Sequence, residues 1–214
     1  MPGLPPVLSQ DGVCDYSFME IHDLWDIVHV NEDSDDDAAP PPPSPTHKDG
    51  LDSNGDAAGQ NVVEEREKLK DMKALRISSN NITDISPLYT NLNHVLDSPS
   101  SLKWIDLSYN SISTIGSSLE KFENLTVLYL HANKITSLSA LKPLTSLKHL
   151  HKLSLHGNEI EGQKHYRSYV IWLLPGLQML DFSCITKQDR VDSGVWAEVF
   201  RKKLRRKKEK EQGF

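Results

Sequence analysis

One spacing governs what this chain can fold into. The pattern L-x-x-L-x-L-x-x-N-x-L, with Ile or Met allowed at the Leu places, occurs at Met72-Leu75-Ile77-Asn80-Ile82 and at Leu102-Ile105-Leu107-Asn110-Ile112. It returns at Leu125-Leu128-Leu130-Asn133-Ile135 and at Leu150-Leu153-Leu155-Asn158-Ile160. The asparagines are 30, 23 and 25 residues apart, so the first interval holds an enlarged loop. A fifth, degenerate copy runs through Leu177, Leu180 and Phe182, with Ile185 in the asparagine place, as a terminal repeat often does.

A period of this length with this consensus is that of a leucine-rich repeat. Side chains alternate along a strand, so the fourth and sixth places of each copy point into a shared core. No single copy can bury its apolar face alone, and each Leu or Ile buried by stacking contributes about 1.5 to 3 kcal/mol. Asn80, Asn110, Asn133 and Asn158 stand where the chain leaves each strand. Their amides are expected to bond the backbone of their own and the next turn in place of water. The predicted fold is therefore α/β: a right-handed solenoid of about five leucine-rich repeats with a parallel concave sheet.

Charge divides the 214 residues into three parts. Residues 1–62 hold 13 Asp or Glu and the single base Lys48, residues 63–200 are neutral, and residues 201–214 carry a net +6. Eight of the twelve prolines precede position 46, and 31–60 is almost wholly Asp, Pro, Ser, Gly and Ala. Such a stretch buries too little apolar area to offset an ordering cost of about 1 to 2 kcal/mol per residue, which predicts a disordered acidic N-terminal arm. Within the arm, at 15–30, Tyr16, Phe18, Ile21, Leu24, Trp25 and Val28 form an island near helical spacing. It either folds on a partner or docks on the chain's own core, where it could cover the concave face.

The composition excludes several classes. Two cysteines, Cys14 and Cys184, make neither a disulfide framework nor a four-thiolate metal site. The longest apolar run, 170–174, is far short of a spanning helix, and prolines at 2, 5 and 6 argue against a secretory leader. These features predict a soluble protein of a reducing, intracellular compartment. G-x-S-x-G, H-E-x-x-H and a Gly-rich phosphate loop are all missing from the sequence, which predicts no enzyme, no cofactor and no small-molecule substrate.

Function is expected on the concave face, at the third, fifth and seventh places of each copy. The residues there with binding character are Arg76, Trp104, Asp106, Val127, Tyr129, His131, Lys152, His156 and Asp181. Trp104 and Tyr129 fall on adjacent rungs, about 5 Å apart, inside a charged rim, which is the composition of a protein-binding hot spot. His131 and His156 also fall on adjacent rungs, but no third ligand completes a metal site. Two stacked surface histidines are the expected reading, and they make binding sensitive to pH.

Toward the C-terminus the solenoid, 63–196, is expected to end in a helical cap at 166–174, stopping near Pro175. Val191, Val195, Trp196, Val199, Phe200 and Leu204 then keep helical spacing, the first part docking on the cap and the basic tail, 197–214, projecting into water. The run 201–208 reads as a solvated helix end, an import signal, a contact for nucleic acid or another acidic surface, or a partner for the acid cluster at 32–37.

The segment 166–181, with Tyr-Arg-x-Tyr-Val and Leu-Pro-x-Leu-x-x-Leu-Asp, resembles the cap of intracellular leucine-rich repeat proteins of the phosphatase-regulator, splicing-associated and dynein-associated types. Trp-Ile-Asp-Leu-Ser-Tyr-Asn at 104–110, Leu-Thr-Val-Leu-Tyr-Leu-His at 125–131, Leu-His-Gly-Asn at 155–158 and Asp-Tyr-Ser-Phe at 15–18 resemble the leucine-rich repeat-containing protein 51 family. So do Asp-Phe-Ser at 181–183 and Thr-Lys-Gln-Asp-Arg at 186–190. The resemblance covers about 69–196 plus the patch at 15–18 and implies a cytoplasmic, non-enzymatic protein whose solenoid is a binding scaffold; the expectation is a monomer that binds one protein partner, by analogy within a ciliary or microtubule-based assembly. The acidic insert and the basic tail lie outside it. A nuclear ribonucleoprotein component using the basic tail, and a phosphatase regulator, are the alternative expectations.

Overall fold

The computed structural model describes residues 7–9, 12–29 and 68–211. The acidic stretch at 31–60, including the cluster at 32–37, lies outside the described residues. Among the described residues eight strands form one sheet in chain order: β1 (Val7–Ser9), β2 (Val13–Asp15), β3 (Ala74–Arg76), β4 (Trp104–Asp106), β5 (Val127–Tyr129), β6 (Lys152–Ser154), β7 (Met179–Leu180) and β8 (Ser183–Cys184). Strands β2 to β7 are parallel, and an antiparallel strand closes each end. Opposite the sheet runs a second layer: α1 (Asp26–His29), α2 (Leu88–Val95), tight three-residue-per-turn helical segments at 99–101, 117–121, 138–146 and 159–162, and α3 (Tyr166–Leu173).

The register follows the repeat. Leu75, Ile105, Leu128, Leu153 and Leu180, the fourth-place residues of five copies, pair directly across the sheet and are all buried. Ile77, Leu107, Leu130 and Leu155 at the sixth place are fully buried as well. Phe182, expected to be the fifth of that row, is instead 55% exposed. Asp181 and Phe182 both turn to positive φ, 49° and 58°, and this reverses the side-chain direction on which strand alternation relies.

The asparagine ladder forms, but it points backward rather than to the next turn. Asn110 Nδ2 donates to the carbonyls of Leu107 in its own rung (3.1 Å) and Ile77 in the preceding one (2.9 Å), while its Oδ1 accepts the amide of Ile82 at 3.1 Å. Asn133 and Asn158 repeat this set on Leu107 and Ile112, and on Leu130 and Ile135. The residue before each asparagine, Ser79, Tyr109, Ala132 or Gly157, has positive φ, which turns the chain out of the strand.

Asn80, having no repeat before it, applies the same contacts to the N-terminal island. Its Nδ2 donates to the Tyr16 carbonyl, and its Oδ1 accepts the amides of Met19 and Ile21. The island is thus an added rung at the end of the solenoid and leaves the concave face open. Strand β2 pairs with β3, and Cys14, Tyr16, Ile21, Leu24 and Ile27 join the core. Among its described residues only 26–29 is helical, so helical spacing misassigns two residues: Phe18 is 80% exposed, at a φ of 61°, and Trp25 is 51% exposed with its ring against His94. Burial of Cys14 pushes its thiol up to about 11, so it is packing material and not a reactive group.

The long first loop holds α2, which packs on α1 and the 117–121 segment away from the sheet. At the other end, α3 closes the core with Tyr166, Tyr169, Val170 and Ile171, and α4 (Lys187–Glu211) packs across it. A capping box starts α4: Asp189 Oδ2 accepts the Thr186 amide, and Thr186 Oγ1 accepts the Asp189 amide. The Arg167 guanidinium beside Asp189 holds its carboxyl well below the usual carboxylate range and ties α4 to α3. Helix α4 docks through Ser193, Trp196 and Ala197; the expected contacts Val191, Val195 and Val199 face outward, 58 to 62% exposed.

Three outcomes follow for stability, each readable by urea unfolding. Leu130→Ala opens a cavity in the middle of the stack and should cost about 2 to 5 kcal/mol. Asn110→Ala leaves the buried Ile82 amide without a partner and takes one of two amide donors from each of the Ile77 and Leu107 carbonyls, and should cost about 1 to 3 kcal/mol. Removal of residues 1–29 should lower stability as well, since it uncovers the end of the core.

Candidate functional site

Concave side chains are held by the rungs beneath them. Tyr129 on β5 is the hub: its ring centroid lies 5.9 Å from Trp104, 6.0 Å from His131 and 5.5 Å from Phe182, in edge-to-face arrangements. Phe182 also lies 5.8 Å from His131 and 5.4 Å from His156. Tyr109, turned outward by its φ of 54° and 59% exposed, meets His131 at 5.3 Å. The result is one aromatic patch extending from β4 to the fifth repeat. At its N-terminal edge Arg76 stands over the Trp104 ring at 5.2 Å and reaches Asp15 at 3.1 Å, so the patch ends on an ion pair supplied by the island.

Of the residues expected at a binding surface, Arg76, Trp104, Val127, Tyr129, His131, Lys152 and His156 are brought together with side chains wholly or partly open. The other two serve the fold. Asp106 is buried, its Oδ1 accepting the amide and hydroxyl of Ser108. Asp181 accepts the amides of Leu155 and His156 and the hydroxyl of Tyr166; for Leu155 its carboxylate stands where the next strand's carbonyl stands in the earlier rungs. Tyr109 and Phe182 are the members that strand alternation misses, since both depend on left-handed backbone that the repeat pattern does not announce.

His131 and His156 stack face to face, centroids 4.6 Å apart and planes 9° from parallel. His131 Nδ1 meets Ser154 Oγ at 2.9 Å, whereas His156 Nδ1 is buried with no hydrogen bond and stands 3.9 Å from Asp181 Oδ1. Burial and the neighbouring His156 lower the His131 pKa, against a smaller opposing pull from Asp106 and Asp181. Among the described residues no group of three or more His, Cys, Asp or Glu is placed to hold a metal ion. The face offers ring edges, ring faces and a few polar tips: surface for recognition.

Parallel one-strand rungs, an asparagine ladder and an exposed concave sheet define a leucine-rich repeat protein, and a family model described as Leucine-rich repeat matches residues 74–212. Over 124 residues the chain is 42% identical to leucine-rich repeat-containing protein 51 of Bos taurus, covering 58% of this chain and 65% of that one. Over 187 residues it is 34% identical to the protein of the same name from Macaca mulatta, covering 87% and 85%. The chain belongs to the leucine-rich repeat-containing protein 51 family. With the bovine protein the match spans just under two thirds of the relative's length. A human U2 small nuclear ribonucleoprotein A' is 38% identical over 93 residues, 43% of this chain and 36% of that one.

The histidine pair gives a pH prediction. The folded pKa of His131 lies below its unfolded value of 6.5, so the unfolded chain takes up the proton first. The stability held by neutral His131 is complete above pH 6.5, is lost as pH falls from 6.5 toward the lower folded value, and levels off beneath it. Urea midpoints from pH 7.5 to 5 should show this drop in the wild type and a flatter profile in His131→Asn.

Proposed function

We propose that this chain is a non-enzymatic scaffold of the cytoplasm that binds a protein partner along its concave face. The observation carrying this reading is the Trp104–Tyr129–Phe182 aromatic patch, which stays open on a rigid sheet while the N-terminal island is packed elsewhere. Aromatic side chains bury large area with few rotamers to freeze, so such patches supply binding energy out of proportion to their size. The rim supplies Arg76 and Lys152 for register and orientation.

A second reading, a ribonucleoprotein component acting through the basic tail, is favoured by the similarity to the human U2 small nuclear ribonucleoprotein A'. Salt separates the two. RNA contacts through several Lys or Arg weaken steeply as salt rises, while an aromatic hot spot changes little.

Quantitative affinity purification comparing wild type with Trp104→Ala/Tyr129→Ala tests the main reading. One protein should be lost selectively, and its purified form should bind the double variant with at least about 2 kcal/mol less affinity, with little change between 50 and 300 mM salt. Identical profiles, or a tagged copy concentrated in nuclei with steeply salt-dependent RNA affinity, would overturn it.

A further inference from the structure

The concave face leaves one large apolar surface unexplained. Along α4, Val191, Val195 and Val199 recur every four residues and so share a stripe, each more than half exposed. Beside the stripe, between α3 and α4, lies a groove of about 540 Å³ lined by His165, Ser168, Val195, Trp196, Val199 and Phe200, with Asp192 and Lys203 at its margins. Its floor is aromatic: Trp196 stacks on Phe200 at 5.1 Å and meets Trp172, Tyr169 and His165 at 5.9 to 6.3 Å. Arg201 covers the far side of Trp172.

Seven residues beyond Val195 and Val199, on the same stripe, the helix presents Lys202 and Arg206, both exposed, with Lys203 at the mouth of the groove. One face of one helix is therefore apolar from 191 to 199 and cationic from 202 to 206, over about 22 Å at 1.5 Å per residue. Asp192 is occupied by Gln188, and Glu198, on the stripe's flank, is the carboxylate facing that surface from the middle of α4.

We infer that this face is a second interface, and that its occupant is an acidic amphipathic segment of a protein partner. Apolar side chains at helical spacing would enter the groove over Trp196 and Phe200, and carboxylates beyond them would meet Lys202, Lys203 and Arg206. Complementary charge selects this occupant. A second copy of α4 would set basic run against basic run. A flat anionic membrane would leave the groove unfilled, whereas inserted side chains fill it. The solenoid would then hold two partners, one on the sheet and one on the helix at its C-terminal end.

The test uses the full chain and a fluorescent 20-residue helical peptide with Leu at i, i+4 and i+8 followed by Glu, titrated by anisotropy. Wild type should bind, and affinity should fall with salt. Val195→Asp/Val199→Asp should weaken binding about tenfold or more at every salt concentration. Lys202→Glu/Lys203→Glu/Arg206→Glu should weaken it comparably and remove the salt dependence. All these positions are exposed, so circular dichroism should show folded variants, and the Trp104→Ala/Tyr129→Ala variant should bind like wild type. Absence of binding, equal binding of a peptide with Lys in place of Glu, or indifference to both sets of substitutions would overturn the proposal. It would also fall if phosphatidylserine vesicles, a second copy of the chain, or a peptide of residues 30–39 were held in preference to the acidic helix.

Discussion

Everything here depends on the stacking of rungs that are unstable alone, and the buried asparagine amide makes that stacking specific. Leucines would pack in several registers, since dispersion and water exclusion have little direction. An amide that must place two donors on two carbonyls and accept a third group's N–H tolerates one register only, because any slip leaves buried polar groups unpaired. In this chain each asparagine serves the rung before it, so order passes from repeat to repeat and terminates where something other than a repeat receives the contact. The island receives it at Asn80, and at the far end Asp181 accepts the Leu155 and His156 amides.

Both ends illustrate how a quasi-one-dimensional fold protects a core that has no natural boundary. The N-terminal end borrows a strand and an apolar turn from residues 12–29. The C-terminal end uses α3 as a lid and α4 as a brace, fastened by the Arg167–Asp189 pair and the Thr186–Asp189 box. An antiparallel edge strand at each limit leaves short edges, which discourages further strand addition. Closure of the ends by these elements, and not by the concave side chains, leaves the aromatic face available.

Much of this was legible beforehand. The strand positions, the in-register Leu rows and the Trp104–Tyr129 and His131–His156 neighbours follow from period and alternation, which are local rules. The failures were local rules applied where the backbone changes hand. Alternation puts Phe182 in the core and passes over Tyr109 because it assumes extended φ, and both residues have positive φ. Phe18 and Trp25 have the spacing of a buried helical face, yet most of the island's described residues are strand and turn. Asp106 and Asp181 read as rim charges, and both are consumed by backbone amides or hydroxyls that had no other acceptor.

The sequence by itself determined the solenoid, its rung count to within one, and the composition of its concave sheet, because a repeated apolar period has one way to bury itself. Only the tertiary structure decided where the N-terminal island goes, which way the asparagines reach, and which aromatics share the open patch. It alone shows, too, that the outward valines of α4 border a groove. Those outcomes turn on contacts between residues 15 to 65 positions apart, such as Asn80 with Tyr16 and Phe182 with Tyr129, and no local period encodes which distant surface a side chain will meet.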